Sequence, residues 1–386
     1  MTHHIKYLLP LLFAFSLLVP VTLQAQEAVE PGAVAPAGPM LRAIQARGQV
    51  ICGVDQEVFG FGFLNANTGD ISGIYVDFCK ALAAAVLSES NALDLRLQPL
   101  DASPEVIFED ELDVLFSHGL APTLTLRANF PDVTFSPAAL FYDGATLMVS
   151  ASNQITTLED LEGETVCLRE EIVPTLETAV EGEPQLTTPS QSAIDFAAEM
   201  SLRGLNYDET VSTDIAELRE AFVDGRCIAL LLERSLLEII RQSTDSPDSY
   251  AIWPTLFNRQ AISPLYANSD KQWANIVDWT MWSLIYAEQK GITSQNIDTF
   301  LRGAAETDEA YISRVGPSIA QFLDTQLGIG SSLGLDNDFV VDIIRQVGNY
   351  DEIYQRHLGP SRPLTIERSF NALWTDGGFL HTPDWR

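Results

Sequence analysis

Apolar residues recur along the chain with two alternating periods. An unbroken apolar run at residues 50–54 has the length and composition of a buried strand. From Val76 onward Phe78, Ala81, Leu82 and Val86 return at the three- and four-residue spacing of one helix face. Between them lies a loop with Gly60, Gly62 and the phenylalanines Phe59, Phe61 and Phe63, then a turn at residues 67–69. The alternation continues with a strand at 93–97, a helix at 104–111 and a strand at 112–116. Residues 117–129 show no period and carry one cation, Arg127. A long strand-like stretch, 141–149, reads as the passage into a second unit.

That unit opens with a capping box, Thr156 and Glu159. Strands follow at 164–168 and 228–232, with helices at 192–203, 215–223 and 235–242, and 250–254 leads back out. From Lys271 the pattern is mostly helical, at 273–290, 297–301, 309–322, 338–348, 350–358 and 366–374. Two rounds of strand and helix predict two α/β lobes around a cleft, with a helical tail. Ligands in such sheets bind outside the carboxyl ends of the strands, which makes the phenylalanine loop a first candidate surface.

Composition narrows the partners. The 53 acidic residues outnumber the 22 basic ones, for a net charge of -31, and such a surface repels nucleic-acid phosphates and anionic lipids. Residues 1–25 read as a cleaved signal peptide, with Lys6 before an apolar run and Ala25 at the cut. The run is broken by Pro10 and Pro20 and is short for a membrane span, so no membrane insertion of the mature chain is expected. Residues 26–40 read as a disordered leader. An even set of four cysteines in an exported chain predicts disulfides, and pairing within each half gives Cys52–Cys79 and Cys167–Cys227. No pair has the C-x-x-C spacing of a zinc site or redox dithiol.

No catalytic signature is present: no G-x-S-x-G, no H-E-x-x-H and no P-loop. The segments GQVICGV, YVDFCKALAAAV, LEDLEGETVCL, DGRC and QWANIVDWTMWSLIYAEQKGITSQNID instead resemble the periplasmic solute-binding proteins of general L-amino-acid ABC transporters (family 3 extracellular solute-binding proteins). The ending GNYDEIYQRHLG with FNALWTDGG is similar to that subfamily's C-terminal extension, so the resemblance runs from about Leu41 to the end. It implies an α/β, periplasmic binding protein-like type II fold with a helical C-terminal extension. Lobe 1 would hold 41–143 and 258–310, lobe 2 would hold 144–257, and 311–386 would pack on the lobes. It also implies a periplasmic protein without cofactor, metal or catalytic residue, which closes on a small solute and delivers it to an ABC permease in the inner membrane.

The resemblance assigns site residues as well. Arg127 matches the family arginine for an α-carboxylate, Glu233 the acidic position for an α-ammonium, and Asp55 a position at the cleft mouth. Arg127 and Glu233 should then face each other across the cleft. Phe59, Phe61 and Tyr75 are expected to wall an apolar part of the solute. Several family contacts are altered: the hydroxyl-rich loop before the arginine is Gly119-Leu120-Ala121-Pro122, and Glu171-Ile172-Val173 stands where the family has Gly-Thr-Thr. The solute is therefore an amino acid or derivative held in an atypical pocket. Two alternatives follow, a degenerate binder acting as sensor or interaction partner, and a lyase or dehydratase on the same fold using Glu233 or Glu171 with His118.

Overall fold

A computed structural model of the chain describes residues 35–172 and 187–385. The signal peptide, most of the leader and Val173 lie outside those residues.

The predicted first strand is Val50–Asp55, and all six of its residues are buried. It pairs in parallel with Leu93–Gln98 on one side and Val114–Phe116 on the other. Leu265–Ala267 returns to this sheet from far along the chain, antiparallel between Val114–Phe116 and Val133–Phe135. Helix Ile74–Leu87, apolar almost throughout, covers the sheet, and Cys79 on it is bonded to Cys52. The second sheet runs in the order Thr187–Pro189, Thr165–Ile172, Ala229–Glu233, Ala145–Ser150 and Tyr250–Ile252, with Asp208–Ser212 also paired to Thr165–Ile172. Cys167 on its central strand is bonded to Cys227. Both disulfides therefore join the partners that the chain order predicts.

Among the described residues two extended segments connect the sheets, Phe141–Asp143 and Gln260–Ile262, and they pair antiparallel with each other. The stretch 141–149 is thus two strands, broken at Gly144. A Cβ there would lie 2.3 Å from the carbonyl oxygen of Asn258, so the chains approach too closely for any side chain. The phenylalanine loop folds into a small meander, Glu57–Val58, Gly62–Leu64 and Ile71–Ser72.

Other departures have local causes. The capping box lies one residue later than predicted, on Thr157 and Asp160, whose carboxylate accepts from the Thr156 and Thr157 amides. The predicted helix 309–322 is split into Asp308–Val315 and Pro317–Leu323, because Gly316 has φ 86° and Pro317 starts a new helix. Residues 366–374 form short 3-10 turns, Ser369–Asn371 and Trp374–Asp376, rather than a helix. Residues 117–129 contain a helix, Leu124–Asn129, capped by Thr123. At the start, helix Pro39–Arg47 begins two residues inside the expected leader, and the Ala35 amide donates to the Ser331 carbonyl.

The C-terminal helices Phe339–Gln346 and Tyr350–Leu358 pack on Ile74–Leu87 and Lys271–Gln289, adding Tyr350, Ile353, Tyr354 and Leu358 to the core. Burial alone would raise the Asp77 carboxyl, but His357, Arg356 and Lys80 around it hold it at about 2. A disulfide closing a loop of this length stabilises by about 3–4 kcal/mol through lost unfolded-state entropy. Replacing Cys167 and Cys227 together by serine is expected to lower stability by about that much in denaturant titrations, with the fold retained in circular dichroism.

Candidate functional site

In each sheet the parallel strands end on the same side, and those ends carry the polar residues. The first sheet contributes Asp55 at the end of Val50–Asp55, with Ser117 and His118 just past Val114–Phe116. The second contributes Arg169 to Glu171 from Thr165–Ile172, and Glu233 from Ala229–Glu233. The connecting strand adds Asp143.

Near the connecting strands these residues form a closed polar cluster. Asp143 accepts from the Gly144 amide at 2.9 Å, from the Ser235 hydroxyl and from His118 Nε2 at 3.2 Å. His118 Nε2 also lies 2.6 Å from Ser235 Oγ, while its Nδ1 lies 3.0 Å from the Tyr75 hydroxyl. Asp55 accepts from Ser117 Oγ at 2.9 Å and from the His118 amide at 2.7 Å. All six residues are buried, none exposing more than 5% of its surface. Burial holds the Tyr75 hydroxyl well above its usual pKa, so it stays protonated and donates to Nδ1, leaving the ring proton on Nε2 for Asp143 and Ser235.

This geometry differs from a nucleophile relay. Serine and aspartate share the same imidazole nitrogen, whereas a relay needs them on opposite nitrogens with an open hydroxyl. Nor is His118 paired with Glu233 or Glu171. The cluster joins Ser235 of the second sheet's helix to His118 of the first sheet through the connecting strand, and it is a structural contact.

The expected site residues divide into two groups. Asp55, Phe61 and Tyr75 are inside the protein, with Phe61 packed edge-on to His118 and Phe141 at centroid distances of 4.5 and 4.9 Å. The sequence reading placed Asp55 at the cleft mouth and Phe61 and Tyr75 on its wall; in this structure all three are buried, because the polar cluster and the aromatic contacts absorb their surface. Phe59 is half-buried against Phe63.

The other group is accessible. Arg127 is exposed on helix Leu124–Asn129, and its guanidinium makes no hydrogen bond or ion pair among the described residues. Glu233 is half-buried and accepts from Ser192 Oγ at 3.0 Å, at the first turn of the thirteen-residue helix Gln191–Arg203, where the helix dipole favours its charge. No ion pair joins Arg127 to Glu233. Glu171 is exposed on the strand edge opposite Thr188; partial desolvation raises its carboxyl, Arg169 opposes this and Glu233 adds to it.

Three participants were not legible in the sequence. Arg169 has a buried Nε with no partner among the described residues. Ser192 seats Glu233. Asn258 donates to Ser192 Oγ at 3.3 Å and to Asp195 at 3.1 Å while accepting from the Ala145 amide at 2.8 Å. Ser192 lies just inside a helix that Ser190 caps, and Asn258 lies in the loop before Gln260–Ile262, so no residue pattern marked either. A groove of about 720 Å³ lies elsewhere, against the edge strand Tyr250–Ile252, and its Arg203 is already held by Glu199 and Glu159.

Burial raises Asp55 to about 6 against the lowering influence of the nearby His118 and the donors from the His118 amide and Ser117. An unfolded aspartate releases its proton near 3.8, so the folded state binds the extra proton between those values and stability falls as pH rises through them. Asp113, raised to about 6 chiefly by burial, acts with the same sign. Asp77 acts oppositely, its contribution being lost as pH falls from about 4 toward about 2. Asp55→Asn is expected to flatten the decline between pH 4 and 6 in denaturation midpoints; an unchanged slope would contradict the buried, protonatable carboxyl.

No protein-family model matches the chain. The general L-amino acid-binding periplasmic protein AapJ of Rhizobium johnstonii is 31% identical over 363 residues, covering 92% of this chain and 95% of AapJ. The putative amino-acid ABC transporter-binding protein YhdW of Escherichia coli K12 is 28% identical over 383 residues, 99% of each chain. Among solved structures, a periplasmic binding protein of an ABC transporter from Brucella ovis, with glutathione bound, superposes with a TM-score of 0.74 at 27% identity, covering 91% of this chain and 100% of that one.

Proposed function

The chain belongs to the periplasmic amino-acid-binding proteins of ABC transporters, and from that premise we propose that its solute is a zwitterion larger than a standard amino acid. The solute's ammonium group meets Glu233 and its carboxylate meets Arg127. The lobes are taken as 41–143 with 258–310 and 144–257, with 311–386 as the extension, and they close about the strands Phe141–Asp143 and Gln260–Ile262. The closed form hands the solute to an inner-membrane permease from the periplasm. No helix among the described residues is long and apolar enough to cross a membrane.

One observation carries this reading. The exposed Arg127, unpartnered among the described residues, stands on the helix that follows the first sheet's strand Val114–Phe116, while Glu233 and Glu171, with the half-buried Arg169 beside them, stand on the second sheet. A guanidinium fork and a carboxylate are planar and complementary, and an unpaired cation at a closing interface requires an anion.

The ligand loop argues against free amino acids. Thr123 Oγ1 is engaged in capping the Leu126 amide at 3.1 Å, and Ser117 Oγ donates to Asp55. Pro122 has no amide hydrogen to offer. Each lost hydrogen bond to a charged group is worth about 1.5–3 kcal/mol, so two missing contacts weaken binding more than about a hundredfold. Glutathione, the solute in the Brucella ovis structure, has an α-amino group and two carboxylates and fits the charge pattern.

Mass spectrometry of solute carried through purification, followed by calorimetry with glutathione and free L-amino acids, tests the proposal. Free L-amino acids are expected to bind no tighter than micromolar, and sub-micromolar affinity for several of them would refute the atypical pocket. For the solute identified, Arg127→Ala and Glu233→Gln should each weaken binding roughly ten- to hundredfold with an unchanged melting temperature.

A further inference from the structure

Residues 338–385 contact three parts of the molecule. Most of their polar contacts are with the first lobe. Arg356 and His357 pair with Asp77, Glu352 accepts from the amide and hydroxyl of Ser294 at 3.0 and 2.6 Å, and Asn349 donates to the Ile292 carbonyl at 2.8 Å. Leu358 and Leu364 press on the Cα of Gly60, where an added Cβ would lie 2.8 Å from each. The extension is therefore carried by lobe 1.

Two further sets of contacts reach past the first sheet, to the connecting strands and to lobe 2. At the connecting strands, the side-chain amide of Asn371 accepts from the Tyr142 N–H at 2.6 Å and donates to the Tyr142 carbonyl at 3.0 Å. One side chain thus acts on Phe141–Asp143 as a neighbouring strand would. Tyr350 donates to the Leu140 carbonyl, and Arg259, just before the other connecting strand, lies over the Phe370 ring at 5.7 Å and the Phe379 ring at 6.0 Å. On lobe 2, Gln242 at the end of helix Arg234–Gln242 exchanges two hydrogen bonds with the Thr365 backbone, each 3.0 Å. Thr365 adjoins Leu364, which is fixed on lobe 1, so movement of lobe 2 away from lobe 1 must break this pair.

We infer that the C-terminal extension is a strap across the hinge. It is anchored on lobe 1 and tied to the hinge strand by Asn371 and to lobe 2 by the Gln242–Thr365 pair, and it biases the solute-free protein toward the lobe arrangement seen here against one with the lobes farther apart. Asn371 and Gln242 are positioning residues: they touch no solute and act through the strands about which the lobes swing. The inference rests on the reading that the lobes close about these strands. Each tie is a pair of hydrogen bonds, so at about 1 kcal/mol net per bond its loss shifts the ratio of this arrangement to one with the lobes farther apart by about thirtyfold.

The test uses the full mature chain without solute, spin-labelled at Ala66→Cys on lobe 1 and Ala216→Cys on lobe 2, both exposed positions. Pulsed electron resonance then gives the interlobe distance distribution. Asn371→Ala and Gln242→Ala should each move population to longer distances, and the double variant further. Glu352→Gln, which weakens one of several anchors of the extension on lobe 1 while the Asp77 pairs and Asn349 still hold it there, should lower the melting temperature and leave the distance unchanged. Ser235→Leu, which drives bulk between the lobes beside His118, tests the hinge reading separately. If Ser235→Leu lengthens the distance and folded Asn371→Ala and Gln242→Ala do not, the strap is overturned while hinge closure stands. If Glu352→Gln lengthens it as much as they do, the ties are ordinary stabilising contacts and the strap is again overturned. If Ser235→Leu leaves the distance unchanged, closure about these strands fails and the strap with it. Should Asn371→Ala not fold, Gln242→Ala decides alone.

Discussion

Asp143 stands where everything meets, and its carboxylate is 5% exposed. A carboxyl group in that position is tolerable only if its lone pairs are occupied, and the donors come from three directions: the Gly144 amide beside it, Ser235 of the second sheet's helix, and His118 of the first sheet. Removing any donor leaves the others around an under-satisfied acid. The two sheets are therefore held in register with the connecting strand by the cost of an unmet hydrogen bond as well as by apolar contact. Phe61, packed on His118 and Phe141, closes the cluster to water.

The rest of the architecture leaves this junction as the place where relative movement can occur. Each disulfide lies within one sheet's own layer, Cys52 to the helix over its strand and Cys167 to the approach to the adjacent strand, so each lobe is stapled and the passage between them is not. Gly144, with the Asn258 backbone too close for a side chain, ends the connecting strand and starts the second sheet. The candidate charges lie on opposite sides of the junction: Arg127 on the helix after the first sheet's strand Val114–Phe116, Glu233 and Glu171 on the second sheet. On the proposed reading, a solute that meets both gains its full binding energy only when the lobes approach, which is how a clamp couples recognition to closure.

Much of the scaffold was legible because its signals are local. Strand runs such as 50–54 and 228–232 and helices such as 215–223 and 350–358 appear close to where their periodicity puts them, and both cysteine pairs follow from chain order in an exported protein. Misreadings occurred where one residue overrides a period. Gly144 splits an apolar run that looks continuous, Gly316 and Pro317 divide a helix, and the tail around Asn371 gives up helical bonds to serve the hinge strand.

The sequence by itself determined the two-unit α/β order, the covalent staples, the family and the acidic surface, since each is written in composition, periodicity or contiguous motifs. The family resemblance also put forward Arg127 and Glu233 as candidates. Tertiary structure alone decided which candidates are accessible. Asp55, Phe61 and Tyr75 flank or lie in the phenylalanine loop after the first strand, yet residues more than forty positions away bury them, and burial is a property of packing that no window of sequence contains. The same holds for Asn258, Ser192 and Asn371: a side-chain amide or hydroxyl becomes a brace only when the fold brings it within 3.3 Å of a backbone or carboxylate it has no local reason to meet.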